Sequence, residues 1–271
     1  MIKQAIIPLA GLGTRLLPLT SVFAKELLPI NGKPGLEYIL DECIEAGIKE
    51  VIFIISKKKM MIKKYFYNDK FYKDIIKKKS DPKIIKEYKK ILKYKKMIKF
   101  VFQDKPLGTG DAVFKTKKFI TDKYFLMLLP DDLIIKKNCS KSMIMVHKKF
   151  KTSVMASMKV NKSDVSRWGI YNIKKKIDKN NFIINNVIEK PSIKTSPSNN
   201  AVIGRYILPI TIFSKLKSLK PGKSGEFHIT DAIQALIEDD HQFIGHNFSG
   251  KYLDCGTMNG YIKSTLEISK Q

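Results

Sequence analysis

Gly11, Gly13, Arg15 and Lys25 lie close together near the start of the chain, and these residue types suit one task, the holding of a polyphosphate. Glycines let backbone N–H groups close around phosphate oxygens, and strained dihedrals cost them little. The two cations can offset charge that shifts during phosphoryl chemistry. The loop, Ala10-Gly11-Leu12-Gly13-Thr14-Arg15, follows directly on the apolar run Ala5-Ile6-Ile7-Pro8-Leu9. Its glycine spacing is not that of a Walker A loop, and no Lys-Ser/Thr pair follows. Leu16 stands where a dinucleotide fingerprint has its third glycine. Taken alone, the loop also reads as an ordinary strand-to-helix turn.

Carboxylates supply the second ingredient. Leu129-Pro130-Asp131-Asp132 closes an apolar run at 124–129, and ligands of open α/β sheets sit at the carboxyl ends of strands. An aspartate there can hold Mg2+ against a phosphate, because magnesium takes one or two protein carboxylates and fills its shell with water and substrate oxygens. A helix cap or turn is the competing reading. Asp254, before Cys255-Gly256-Thr257, is a second candidate if the fold brings the two aspartates together. Gln103 follows another apolar run. Its amide can donate to one carbonyl and accept from a neighbouring N–H, which matches the O4/N3–H edge of uracil or thymine and mismatches cytosine. A polar turn fits Gln103 equally well. Gly108 and Gly110 would let backbone approach the base or ribose. Glu189-Lys190-Pro191 joins a carboxylate suited to sugar hydroxyls to a lysine suited to a phosphate, with a surface ion pair as the alternative. Gly169 and Gly204 mark further places where a ligand could approach backbone.

These residues need a sheet to hold them. The runs 51–55, 98–102 and 124–129 are short, apolar and β-rich, and read as buried strands. Between the apolar run at 5–9 and that at 51–55, Leu36, Ile39, Leu40, Cys43 and Ile44 recur at helical spacing, with Pro34 at the start and Gly47 as the stop. Strand, helix and strand of these lengths form a βαβ unit with parallel strands. Residues 57–97 are lysine-rich. Ile84, Ile85, Tyr88, Ile91 and Leu92 nevertheless form one apolar stripe, which predicts one or two amphipathic helices beside the sheet. Strands follow at 153–158, 169–172, 182–189 and 201–208, a polar loop at 192–200, and a helix at about 230–238 with Thr230 as N-cap. The expected fold is α/β, with a mostly parallel sheet and a more antiparallel flap in the second half.

The chain of 271 residues can bury a sizeable core, and no apolar run approaches a membrane span. Met1-Ile2-Lys3-Gln4 enters a strand directly, which predicts no signal peptide. Cys43, Cys139 and Cys255 are few and far apart, which argues for a reducing cytoplasm and against a zinc site. His147, His228, His241 and His246 show no metal-ligand spacing with cysteine and read as surface or helix-end residues. The formal charge of +26 invites a nucleic-acid reading, supported by charge alone. Only Arg15, Arg167 and Arg205 among the 51 cations are arginine. Proteins that read DNA sequence favour arginine for guanine, so scattered lysines on wet faces are the better account, and no specific nucleic-acid partner is expected.

The segments AGLGTRLLPLT (10–20), AKELLPI (24–30), LGTGDAV (107–113), LLPDD (128–132), EKP (189–191), IGRYIL (203–208), GEFHITDAI (225–233) and DCGT (254–257) occur in this order. With them the chain resembles the bacterial UTP–glucose-1-phosphate uridylyltransferases, also called UDP-glucose pyrophosphorylases, over about residues 1–265. The resemblance implies a Rossmann-like α/β nucleotidyltransferase fold, dependence on Mg2+, a homo-oligomer in the cytoplasm, and the substrates UTP and glucose 1-phosphate. It implies one domain over 1–271, with residues 1–135 mainly for the nucleotide and 136–271 mainly for the sugar phosphate. By the same resemblance, Ala10, Gly11 and Gly13 contact the nucleotide, and Arg15 and Lys25 the triphosphate. Glu26, Gln103 and Gly108 help bind uridine, Asp131 with Asp254 holds Mg2+, and Gly169, Glu189, Lys190 and Gly204 line the sugar-phosphate site. Arg15, Lys25 and Asp131 are the expected catalytic residues. Ala24 replaces the family's usual proline, Trp168 a common tyrosine and Ile203 a common valine. The chain ends at Gln271, shorter than many members, which bears on oligomer contacts. A glucose-1-phosphate thymidylyltransferase and a non-catalytic regulatory paralogue are the rival readings.

Overall fold

The computed structural model of the chain describes residues 1–222 and 225–270, so Gln271 lies outside the described residues. The first strand, β1 (Gln4–Pro8), runs through the middle of the molecule and leads into the glycine loop. A short ribbon of β2 (Pro29–Ile30) and β3 (Lys33–Pro34) then feeds helix α1 (Gly35–Glu45). On α1, Leu36, Ile39, Leu40 and Cys43 are buried, and Gly47 takes the left-handed φ of 87° that ends the helix. The next strand, β4 (Glu50–Ile55), pairs parallel with β1, as the spacing predicts.

The lysine-rich stretch forms three helices rather than one or two: α2 (Met60–Tyr67), α3 (Asp69–Lys79) and α4 (Pro82–Lys95). Ser80 turns left-handed, and Asp81 accepts from Lys83 N at 2.7 Å ahead of Pro82. A proline disfavours helical backbone in the residue before it, which separates α3 from α4. The predicted stripe on α4 faces inward. Tyr94, which continues it, is fully buried and donates to Asp41 at 2.6 Å. The chain then returns through β5 (Ile98–Phe102), α5 (Gly108–Phe114) and β6 (Tyr124–Leu128).

Five later strands complete the sheet. The first four are β8 (Ser153–Lys159), β9 (Gly169–Lys176), β10 (Asn181–Glu189) and β11 (Asn200–Pro209), preceded by β7 (Asp132–Ile135) and α6 (Cys139–Phe150). After α7 (Ile212–Ser218) and α8 (Ile229–Glu238) come β12 (Phe243–Asn247), β13 (Lys251–Asp254) and α9 (Met258–Ser269). The nine-stranded order is β5-β4-β1-β6-β11-β8-β12-β10-β9. From β5 to β6 every pairing is parallel, because helical crossovers separate those strands. Beyond β6 the sheet is antiparallel except for β8–β12. The sheet is therefore mixed, with its antiparallel half as large as its parallel one.

Both faces of the central strands are covered, which is why β1 and β4 read as unbroken apolar runs. Ala5 and Ile7 pack with α1, α4 and α6, while Ile6 packs with α5, α7 and α8. Phe53 is fully buried against Phe66 and Phe100, with ring centroids 5.8 and 5.7 Å away. Its truncation to alanine would cost about 3–5 kcal/mol.

Two sequence expectations fail locally. Thr230 is not the N-cap of α8. His228 occupies that position, with extended backbone at φ −94° and ψ 136° and no capping side chain. The helix cap lies two residues earlier, next to Phe227, which is itself held in place: its N–H donates to Leu107 O, and its carbonyl accepts from Gly110 N. His246 is not a surface residue but is buried on β12, bonded to Asn181 Oδ1 at 2.8 Å and near Ser142 Oγ at 3.2 Å.

Candidate active site

The carboxyl ends of β1 and β6 open into a cavity of about 480 Å³. Ala10, Gly11, Gly13, Lys25, Glu26, Gln103, Gly108 and Asp131 all reach its wall. The glycine loop forms one lip. A Cβ on Gly11 would meet nothing within 4 Å, so its backbone faces open space. Gly13 has φ +71° and lies under Thr20, whose hydroxyl donates to Gly13 O at 2.8 Å. A larger residue there would be strained twice over.

Asp131 faces this lip. Lys25 Nζ donates to Asp131 Oδ2 at 2.8 Å, and Arg15 Nη2 reaches the same oxygen at 3.4 Å from an exposed position. Burial pushes the Asp131 carboxyl up, but the Lys25 charge and hydrogen bond, with Arg15, outweigh it and leave the group below its ordinary range. Asp132 points the other way. Its oxygens accept from Tyr252 Oη at 2.7 Å and Gly204 N at 2.8 Å, and burial, then the Asp131 charge, raises its pKa. Adjacent carboxylates thus divide: one is held ionised at the cavity, the other is built into the scaffold.

A two-stranded ribbon brings Asp254 to the same place. Strands β7 and β13 pair antiparallel with Asp254 opposite Asp132, and Cys255 N donates to Asp131 O at 2.8 Å. Gly256 sits between the groups. A Cβ there would lie 2.9 Å from Asp131 Oδ2, 3.0 Å from Arg15 Nη2 and 3.2 Å from Asp254 Oδ1. Among the described residues no third His, Cys, Asp or Glu joins the pair. Two carboxylates flanking Gly256 at the edge of the cavity fit the partial, oxygen-only ligand set that Mg2+ accepts from proteins.

Three expected nucleotide residues have altered surroundings. Glu26 lines the cavity, but both its oxygens are held by Lys59 Nζ at 2.7 and 2.9 Å. Gln103 spends its amide N–H groups on Gly108 O at 3.0 Å and Asp111 Oδ2 at 2.7 Å. Only its carbonyl is left to accept, so the donor half of the expected base match is spent within the protein. Gly108 and Gly110 are glycine for another reason than a base. Cβ atoms on them would lie 2.5 and 2.9 Å from Phe227 O, so their smallness admits the segment 225–228.

The expected sugar-phosphate residues do not all meet. Gly169 pairs in register with Glu189, and a Cβ on it would lie 3.0 Å from Glu189 Oε2. Lys190 turns left-handed beside them, its N–H donating to Trp168 O at 2.9 Å. Glu189 lines a second cavity of about 640 Å³ with Asn186, Asp231 and Gln234. Gly204 lies apart from that cavity. Its open side is filled by Leu129, whose Cβ would be 2.6 Å from a Gly204 Cβ, and by the Asp132 carboxylate. It serves close packing behind the aspartate turn rather than an open ligand face.

Residues 4–271 match a family model described as nucleotidyl transferase. The chain belongs to the nucleotidyl transferase family. It is 34% identical, over its full length and 94% of the relative, to a putative UTP–glucose-1-phosphate uridylyltransferase of Methanocaldococcus jannaschii. It is 35% identical, over its full length and 92% of the relative, to the UTP–glucose-1-phosphate uridylyltransferase of Bacillus subtilis. A solved UDP-glucose pyrophosphorylase complexed with UDP-glucose superposes with a TM-score of 0.87 at 33% identity, covering 100% of this chain and 99% of that one.

Several side chains of this nucleotidyl transferase reach the site without having been expected there. Thr109 and Glu226 line the first cavity, and His228 lines both. Thr109 Oγ1 also accepts from Ile229 N at 3.2 Å, which ties the two segments together. The glycines at 222 and 225 were the available sign that residues 226–228 are held in a special conformation. Gly256 was visible only as part of a motif. Lys59, Glu42 and Arg205 carry no local signal, because their partners lie on distant elements.

Proposed function

We propose that this nucleotidyl transferase moves a uridylyl group from UTP to glucose 1-phosphate and releases pyrophosphate. The observation that carries the site reading is the convergence of the glycine lip, Lys25 and Asp131 on one cavity that Gln103 also lines. The names of the full-length relatives support the choice of substrates.

The phosphate of glucose 1-phosphate is already an anion and needs no general base. One of its oxygens forms a bond to the α-phosphorus of UTP, and the bond from that phosphorus to the bridging oxygen breaks. The electron pair leaves with pyrophosphate, and no proton has to move. Catalysis is then positioning and charge stabilisation. The backbone of Ala10, Gly11 and Gly13 cradles the triphosphate, with Arg15 and Lys25 offsetting its charge. Gln103 accepts from the uracil N3–H, while Glu26 and Gly108 shape the walls around the uridine. Asp131 and Asp254 would hold Mg2+, which when bound supplies further offset to phosphate charge. Gly169, Glu189 and Lys190 form the sugar-phosphate rim, and Gly204 braces the turn between the two halves.

Pyrophosphate release decides the matter, measured with UTP or dTTP and with glucose or galactose 1-phosphate, with and without Mg2+. The expected result is Mg2+-dependent turnover with UTP and glucose 1-phosphate, and kcat/KM higher for UTP than for dTTP. A preference for dTTP would make the protein a thymidylyltransferase, and no turnover with any pair would make it a regulatory relative. The same reading includes a homo-oligomer, checked by light scattering, and a cytoplasmic setting, supported by three free cysteines. No helix among the described residues is long and apolar enough to cross a membrane.

A further inference from the structure

We propose that Arg205, gripped by Glu42, is a positioning residue for the transfer reaction: it fixes the turn that presents Asp131. The inference rests on the role given above to Asp131. Arg205 is fully buried on β11. Its Nη1 donates to Leu129 O at 3.1 Å and Gly204 O at 3.0 Å, and its Nη2 donates to Asp132 O at 2.6 Å. The carbonyls just before and just after Pro130-Asp131 therefore converge on one guanidinium. Glu42 of α1 binds the other edge, accepting from Nη2 at 2.9 Å and from Nε at 3.2 Å on each oxygen. Glu42 Oε1 in turn accepts from Ser140 N at 3.1 Å and Ser140 Oγ at 2.5 Å, which ties the pair to the start of α6.

A buried ion pair is weak grounds for a stability role, since desolvation offsets most of the attraction. The geometry argues for placement instead. A planar fork with several fixed donors can hold two carbonyls of one turn and a carboxylate at once, whereas a lysine ammonium cannot match that pattern. The turn is tied on its remaining sides as well. Leu129 N donates to Gly204 O, and Asp131 O accepts from Cys255 N, each at 2.8 Å. Asp131 itself makes no bond to Arg205, so its carboxylate stays free to face Lys25 and the cavity.

The test compares wild type, Arg205→Lys, Asp131→Asn and the double variant, with circular dichroism and Tm reporting the fold. Arg205→Lys is expected to lower kcat about 10- to 100-fold, the usual cost of losing a supporting partner. The KM for UTP should move less than about threefold, and the change should cost nothing further in the Asp131→Asn background. Calorimetry of UTP binding gives a second readout. The gain in affinity on adding Mg2+ should shrink in Arg205→Lys, while affinity without Mg2+ stays the same. Losses that add in the double variant, or a folded Arg205→Lys enzyme with wild-type kcat, overturn the positioning role. Full turnover in Asp131→Asn alone instead refutes the role of Asp131, a result read without any change at Arg205. Should Arg205→Lys fail to fold, Glu42→Met/Arg205→Met removes both charges together. If that variant folds with reduced kcat it supports the proposal, and if it folds with full kcat it overturns it. Failure of both to fold assigns the pair to folding alone and overturns it too.

Discussion

Lys25 Nζ meets Asp131 Oδ2 at 2.8 Å although 106 positions separate the two residues. One cation is thereby fixed at the mouth of the cavity by the carboxylate opposite it, without a mobile side chain having to be ordered during the reaction. Lys25→Met should lower kcat about 10²- to 10³-fold, the range for loss of one preorganised charge donor. Steady-state pyrophosphate release checks this, and a loss confined to KM would show that Lys25 only binds substrate.

Gly108 combines φ +91° with backbone of Phe227 pressed against it. Gly108→Ala should destabilise the protein by about 1–3 kcal/mol through strain alone, and should raise the KM for UTP as segment 225–228 is pushed from the cavity. Urea unfolding and initial rates measure the two effects. A variant with the wild-type midpoint would refute the packing account.

Gln103 keeps only its carbonyl free at the cavity, and in the proposed reading that carbonyl accepts from the base. Gln103→Met should raise the KM for UTP about tenfold, the worth of one hydrogen bond in a dry site, with a smaller change in kcat. If the variant discriminated UTP from CTP as well as wild type does, base selection would have to be sought in other residues.

Burial holds the His241 and His246 imidazoles below their ordinary value, Asp178 working weakly the other way on His246. The unfolded chain takes up these protons near pH ~6.5, and the folded protein takes them up only at lower pH. Stability is therefore full above pH ~6.5 and falls as pH drops through that value toward the folded pKa. Tm should fall between about pH 7.5 and about pH 5.5, and His246→Gln should flatten that slope while lowering Tm overall. An unchanged slope would remove His246 from the account.

Thr230 tests where a sequence cue misleads. As a cap it would be worth about 1 kcal/mol, yet it lies inside the first turn of α8. Thr230→Ala should leave the urea midpoint within about 0.5 kcal/mol of wild type.

The parallel half of the sheet, α1 and the glycine loop were readable because each is set by neighbours in sequence: apolar periodicity, Pro34, Gly47, Gly11 and Gly13. The division of labour between Asp131 and Asp132 was not. It depends on Tyr252 and Gly204, which only the folded chain brings near. Nor was the grip of Lys59 on Glu26, since a lysine among so many lysines carries no mark of its own. Gly108 and Gly110 were noticed for the right reason, close approach, but the approaching backbone is that of Phe227.

The ribbon of β7 and β13 divides the scaffold from one of its aspartates along the chain. All nine strands of the main sheet lie between Gln4 and Asn247, whereas Asp254 stands at the end of β13, outside that sheet. A chain cut after Asn247 would keep every strand of the main sheet and lose β13, the partner strand that sets Asp254 opposite Asp132.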